Sequence, residues 1–179
     1  FNLRDISKCF ADGDKCDYEA NAIAAYALML QGNEEYKSLL PFLRIMADAN
    51  AGANSYAWLY LITQDSSYAT KVLSSQNPQG VWLKGTSISF YDTAINGFSL
   101  IKNGNYEYNV SKTKDTLLRN QHNEGYWPGS IQDSIVRDTA LLLYVFWPKP
   151  VVIAAPYAPG ACEEVGGNCS LSCASGTIE

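Results

Sequence analysis

A chain of 179 residues, 47% of them hydrophobic and 17% charged, has room for one domain with its own core and a short appendage. A net charge of −5 with no Lys/Arg cluster excludes a phosphate-backbone partner, and with it a nucleic-acid-binding function. No apolar run reaches the roughly 18 residues that a membrane-spanning helix requires, so no span is expected.

Residues 1–16 form a polar leader ending in CFADGDKC. Asp12, Asp14, Asp17 and Glu19 could offer carboxylate oxygens to calcium, but the twelve-residue loop spacing of a calcium hand is absent. Acids at this place are expected to favour a helix N-terminus, so capping and a loop disulfide are the expectation, with no metal. Residues 18–30, YEANAIAAYALML, are small and apolar almost all round and predict a buried helix, stopped by Gly32-Asn33. Residues 34–49 place Tyr36, Leu39, Leu40, Leu43 and Met46 on one stripe and predict an amphipathic outer helix, with Pro41 in its first turn or kinking it. NAGANS, 50–55, reads as a loop, and 56–62 as another apolar helix. QDSSY, 64–68, leads into a short helix ending near Ser75.

Residues 76–101, QNPQGVWLKGTSISFYDTAINGFSLI, then contain a pattern that returns in 121–146, QHNEGYWPGSIQDSIVRDTALLLYVF. Gln76, Gly80 and Trp82 recur 45 residues later as Gln121, Gly125 and Trp127, and Asp92-Thr93-Ala94 recurs 46 later as Asp138-Thr139-Ala140. A match at constant offset over this many positions marks a repeat protein. Inner helices are predicted over 91–101 and 133–146. Between them lies an outer helix over 107–120, with Val110, Thr113, Leu117 and Leu118 as its apolar stripe. The joints GNEEY (32–36), QDSSY (64–68) and GNYEY (104–108) repeat as well. An apolar inner helix, a polar joint and an amphipathic outer helix thus alternate three times, and a fourth inner helix follows. Such hairpins bury their faces only by stacking on neighbours, so the fold class is all-α.

At Pro148 the composition changes. Pro148, Pro150, Pro156 and Pro159 surround the apolar piece VVIAAPY and predict an extended connector. The Cys-bearing tail that follows cannot build a core alone. The expected organisation is a repeat domain over 1–147 and a Pro-rich connector with its tail over 148–179. The five cysteines, Cys9, Cys16, Cys162, Cys169 and Cys173, flank the repeats and never fall within them, as disulfide staples do. Asn109 and Asn168 head glycosylation sequons. A chain opening on Phe1 reads as a processed product or a fragment. Together these features lead to the expectation of an extracellular or cell-surface protein.

The pattern Gln-x-x-x-Gly-x-Trp, at Gln76–Trp82 and Gln121–Trp127, resembles the QW repeat of the terpene cyclase and prenyltransferase superfamily. The resemblance covers roughly 18–147. It implies an α/α toroid in which Gln bonds backbone groups at helix ends, Gly permits the bend, and Trp covers the joint. The superfamily's chemistry does not carry over. Asp92 and Asp138 stand alone in D-T-A where a cyclase uses an Asp-rich acid. The lone His122 and a cysteine-free helical region leave no zinc site, and the thioester sequence of complement-type toroids is missing. The array is also short for a full toroid, and no cofactor is implied.

Asp92 and Asp138, placed at helix starts, are expected to cap them. A second reading pairs them, or Glu124 and Asp133, as general acid and base on a polysaccharide. His122 reads as a loop residue with no nucleophile beside it. Tyr91, Tyr126 and Tyr144 with Trp127 pack the core and joints on one reading and form a sugar-stacking aromatic face on the other. The functional expectation is a non-catalytic structural or binding module. It would meet a protein partner or another subunit through 148–179, with VVIAAPY as the docking strip. The rival expectation is a carbohydrate-active hydrolase or lyase.

Overall fold

The computed structural model describes residues 9–12, 15–104, 106–128 and 134–148. Asp14, Asp133, Asn168, Cys162, Cys169, Cys173 and the VVIAAPY strip lie outside the described residues. The chain divides between Pro148 and Lys149, and everything described belongs to the first part.

That part is helical. Helix α1 spans Tyr18–Leu30, α2 Tyr36–Met46, α3 Ser55–Thr63, α4 Ser66–Ser74, α5 Phe90–Lys102, α6 Glu107–Arg119 and α7 Ser134–Phe146. Two short antiparallel hairpins accompany them: β1 (Ala11–Asp12) with β2 (Lys15–Cys16), and β3 (Leu83–Lys84) with β4 (Ser87–Ile88). NAGANS does not remain an open loop. Residues Asp48–Ala53 coil into a 3-10 segment, because the Asn50 amide donates to Met46 O (2.8 Å) and the Ser55 hydroxyl to Ala47 O (2.8 Å).

Helix ends follow from local chemistry. Asp17 caps α1 by accepting from Ala20 N at 2.7 Å, as its position predicts. At the other end Gly32 takes φ +68, where Gly32 N reaches Met29 O and Asn33 N reaches Leu28 O, each at 3.0 Å. Those two bonds satisfy carbonyls that the helix leaves without partners. Pro41 falls in the second turn of α2, on its exposed side, and the helix runs through it. Of the two expectations for Pro41, the first turn is therefore not where it lies, even though α2 starts at Tyr36 rather than Glu34. The preceding bonds, Lys37 N to Glu34 O and Ser38 N to Glu35 O (both 3.0 Å), form a tighter turn ahead of the helix.

Helices α1 and α2, α3 and α4, and α5 and α6 pack as pairs, while α1 packs on α3, α3 on α5 and α5 on α7. Helix α3 is buried on all sides from Ala57 to Ile62, and its uniformly apolar sequence reflects that central place. One continuous core joins α1 to α5 and includes Tyr18, Leu43, Trp58, Leu59, Val72 and Trp82. A second holds Phe90, Ala94, Leu117, Trp127, Leu142 and Phe146. The α6 stripe departs from expectation. Thr113, Thr116 and Leu117 face inward, while Leu118 is 54% exposed. Threonine is tolerated inside because each hydroxyl has a partner: Thr113 donates to Gly80 O and Thr116 to Gln79 O, both at 2.6 Å.

Candidate functional site

Two groups of side chains are candidates: the Gln-Gly-Trp corners and the polar rim where the inner helices begin. At the first corner Gln76 Nε2 donates to Gly80 O (2.8 Å), Asn77 N to Val81 O (3.0 Å) and Gly80 N to Asn77 O (2.9 Å). At the second corner Gln121 Nε2 donates to Gly125 O (2.8 Å), His122 N to Tyr126 O (2.8 Å) and Gly125 N to His122 O (2.8 Å). Gly80 and Gly125 hold φ +87 and +88, a region that side-chain-bearing residues avoid. Trp82 N donates to Thr93 Oγ1 and Trp127 N to Thr139 Oγ1, each at 3.2 Å. The indole of Trp82 reaches Val72 O (3.2 Å) in α4 and that of Trp127 reaches Leu117 O (2.8 Å) in α6. The D-T-A threonine therefore fastens each corner to the inner helix that follows, and the indole fastens it to the outer helix before.

A third corner lacks both Gln and Trp. Phe10 N donates to Asn21 Oδ1 (2.6 Å), and Asn21 Nδ2 returns a bond to Phe10 O (2.9 Å). The β1–β2 register, Ala11 with Cys16 and Asp12 with Lys15, recurs 72 residues later in β3–β4 as Leu83 with Ile88 and Lys84 with Ser87. Asp17 caps α1 just as Ser89, also 72 on, caps α5 by accepting from Asp92 N at 3.2 Å. Cys9 and Cys16 close this corner as a disulfide with Cα atoms 5.8 Å apart. The signal in the sequence was the offset of Gly13 from Gly85 and of Asp17 from Ser89.

The rim is built from residues at the starts of α1, α3, α5 and α7. Tyr91 OH donates to Glu19 Oε1 at 2.5 Å. Burial, and then that bond, raises the Tyr91 phenol well above its ordinary pKa. The Arg137 guanidinium lies over the Tyr91 ring, 4.5 Å from its centroid, and donates from Nε and Nη2 to Asp138 Oδ1 at 2.8 Å. Asn54, held at φ +55, donates to Asp92 Oδ1 (2.8 Å) and accepts from Asn96 Nδ2 (2.7 Å). Contacts joining residues near all four N-termini show that the inner helices start at one end.

The two acids are not the caps their positions suggested. Ser89 caps α5, leaving Asp92 in the first turn as acceptor for Asn54, and Asp138 is the fifth residue of α7 and 4% exposed. A cavity of about 170 Å³ opens beside Asn54, Tyr56, Ser75, Trp82, Asp92 and Asn96. Trp127 does not line an open face: it is 1% exposed and stacks on Trp147, with ring centroids 5.6 Å apart. Tyr144 is exposed on α7, and Tyr126 stacks on His122 at 4.4 Å within the second corner. Glu124 lies 4.0 Å from His122 in that exposed turn. Asn109 Nδ2, the atom that would carry a glycan, donates to Gln76 Oε1 at 2.8 Å. Among the described residues no three His, Cys, Asp or Glu side chains gather as metal ligands, and no helix is long and apolar enough to cross a membrane.

Comparison with protein-family models, curated proteins and solved structures gives no match.

Proposed function

We propose that this chain is a non-catalytic structural or binding module of a secreted or cell-surface protein. In this reading its helical hairpins form part of an α/α toroid of the QW-repeat kind. The observation that carries it is the use made of the polar side chains. Gln76, Thr93, Gln121 and Thr139 bond corner backbone, and Glu19, Asp92 and Asp138 each accept from a side chain of the same chain. Groups engaged in this way hold helices in place. The Cys9–Cys16 bridge supports an oxidising compartment. A protein partner or another subunit would be met through 148–179.

A second reading, a carbohydrate-active hydrolase or lyase using Asp92 and Asp138, draws support from the cavity beside Asp92. A polysaccharide panel separates the two. The module reading expects no turnover with the wild-type chain. Turnover lost in Asp92→Asn or Asp138→Asn would replace it with the enzyme reading.

A further inference from the structure

The repeat defines which face of each inner helix meets the next one and which edge meets the one before; among the described helices the first is open on α7 and the second on α1. On α5 the face is Phe90, Ala94 and Gly97, all buried. It is covered by α7 so closely that a Cβ on Gly97 would stand 2.2 Å from Phe146 Cζ. The same positions 46 residues later are Val136, Ala140 and Leu143. Val136 is 79% exposed, Leu143 45% exposed, and Ala140 also faces solvent. An apolar face whose counterpart is buried beneath a helix is therefore left uncovered on α7 by the described residues.

The mating edge is on α1. On α5, Asp92 and Asn96 turn toward the preceding inner helix, where both side chains meet Asn54. The positions 72 residues earlier are Ala20 and Ala24, and with Ile23, Ala27 and Leu30 they form an apolar edge. Ile23 is 46% and Leu30 60% exposed. Phe10, in the position of Trp82, is 60% exposed, and no described helix precedes it.

We propose that α7 of one copy of this chain packs against α1 of a second copy, continuing across the contact the stacking that joins α5 to α7. Each copy carries one acceptor edge and one donor edge, and small residues on α1 (Ala20, Ala24, Ala27) admit the larger Val136 and Leu143. The contact is head-to-tail, so it propagates unless the rotation closes a ring. It rests on the repeat geometry and not on whether the module is catalytic.

Sedimentation of the 179-residue chain over a concentration series tests this. The wild type is expected to associate beyond a monomer. Ile23→Glu removes only the α1 edge and Leu143→Glu only the α7 edge, so each variant alone is expected to stay monomeric. Their mixture is expected to form a 1:1 dimer that grows no further. Both positions are exposed, so at concentrations below association the melting temperatures should match the wild type. The pair Ala27→Glu and Ala140→Glu repeats the test one turn away. A wild type that is monomeric throughout, a variant that still associates alone, or a mixture that stays monomeric overturns the proposal. Turnover of a polysaccharide would sink the module reading and leave this one standing.

Discussion

The two Gln-Gly-Trp corners share their internal bonds, yet they sit in different surroundings. Around Gly80 the next outer helix closes in. A Cβ there would lie 2.9 Å from Lys112 Cγ and 3.1 Å from Thr113 N, and Gln76 bonds Thr113 (3.2 Å) and Asn109 (2.8 Å) besides its own corner. A Cβ on Gly125 would meet no described atom within 4 Å, and Gln121 keeps only its corner bond among those described. The bend is thus a property of the seven-residue segment itself, while the following outer helix adds a second layer of contact. Identical geometry in two environments separates what the corner does alone from what it does when packed.

Substitution of the tryptophans should have the largest effect. Trp82→Ala and Trp127→Ala each remove a buried indole and its bond to the preceding outer helix, and each should cost about 3–5 kcal/mol in urea unfolding. A near-neutral result at either position would mean that the two corners are not one device. The glycines sharpen the comparison. Among the described residues Gly125→Ala meets only the backbone strain of positive φ, and it should cost about 1 kcal/mol. Gly80→Ala meets the same strain plus collision with α6 backbone and should cost about 2–4 kcal/mol. Equal costs would show that packing around Gly80 contributes nothing. A smaller difference is expected for glutamine: Gln76→Ala should cost about 1–2 kcal/mol and Gln121→Ala less than about 1 kcal/mol, since the first leaves more partners unpaired.

Alkaline pH tests the burial of three tyrosines in the described helices. Burial raises the phenols of Tyr18 and Tyr91, and burial followed by the Tyr106 contact pushes Tyr60 up to about 12. A raised folded-state pKa favours the protonated phenol. The resulting stability is complete below the unfolded value of 10.0 and is lost as pH climbs through the folded values. Tyrosinate absorbance and helicity should therefore change together above pH 10. Ionisation of every tyrosine near pH 10 without loss of helix would contradict the burial described.

The helices were legible because apolar runs and stripes are closed off by polar joints and glycines. Residues 18–30 form α1 as read, and α5 and α7 begin within a residue of their expected starts. What stayed hidden depends on atoms that meet across long separations. Nothing local in Asn54 announces a left-handed turn that ties Asp92 to Asn96, and the acids read as caps because Ser89 is a less conspicuous letter. Phe10 and Asn21 form the backbone bond that Trp82 and Thr93 form at the first corner, with different residues, so a search for Gln and Trp passes over them. Leu118 was placed inside by its apolarity, whereas Thr116 goes inside because a corner carbonyl awaits its hydroxyl. For the candidate site, the residues of both corners were legible but their bonding partners were not.

The most direct test of the shared corner is hydrogen exchange at the backbone and indole N–H groups of Trp82 and Trp127, measured by NMR in wild type, Thr93→Val and Thr139→Val. All four protons should be protected in the wild type. Each Val variant should release the backbone proton of its own corner first and leave the other corner unchanged. Protection at Trp82 beside free exchange at Trp127, or variants with no local effect, would contradict the claim that one corner design sets both bends.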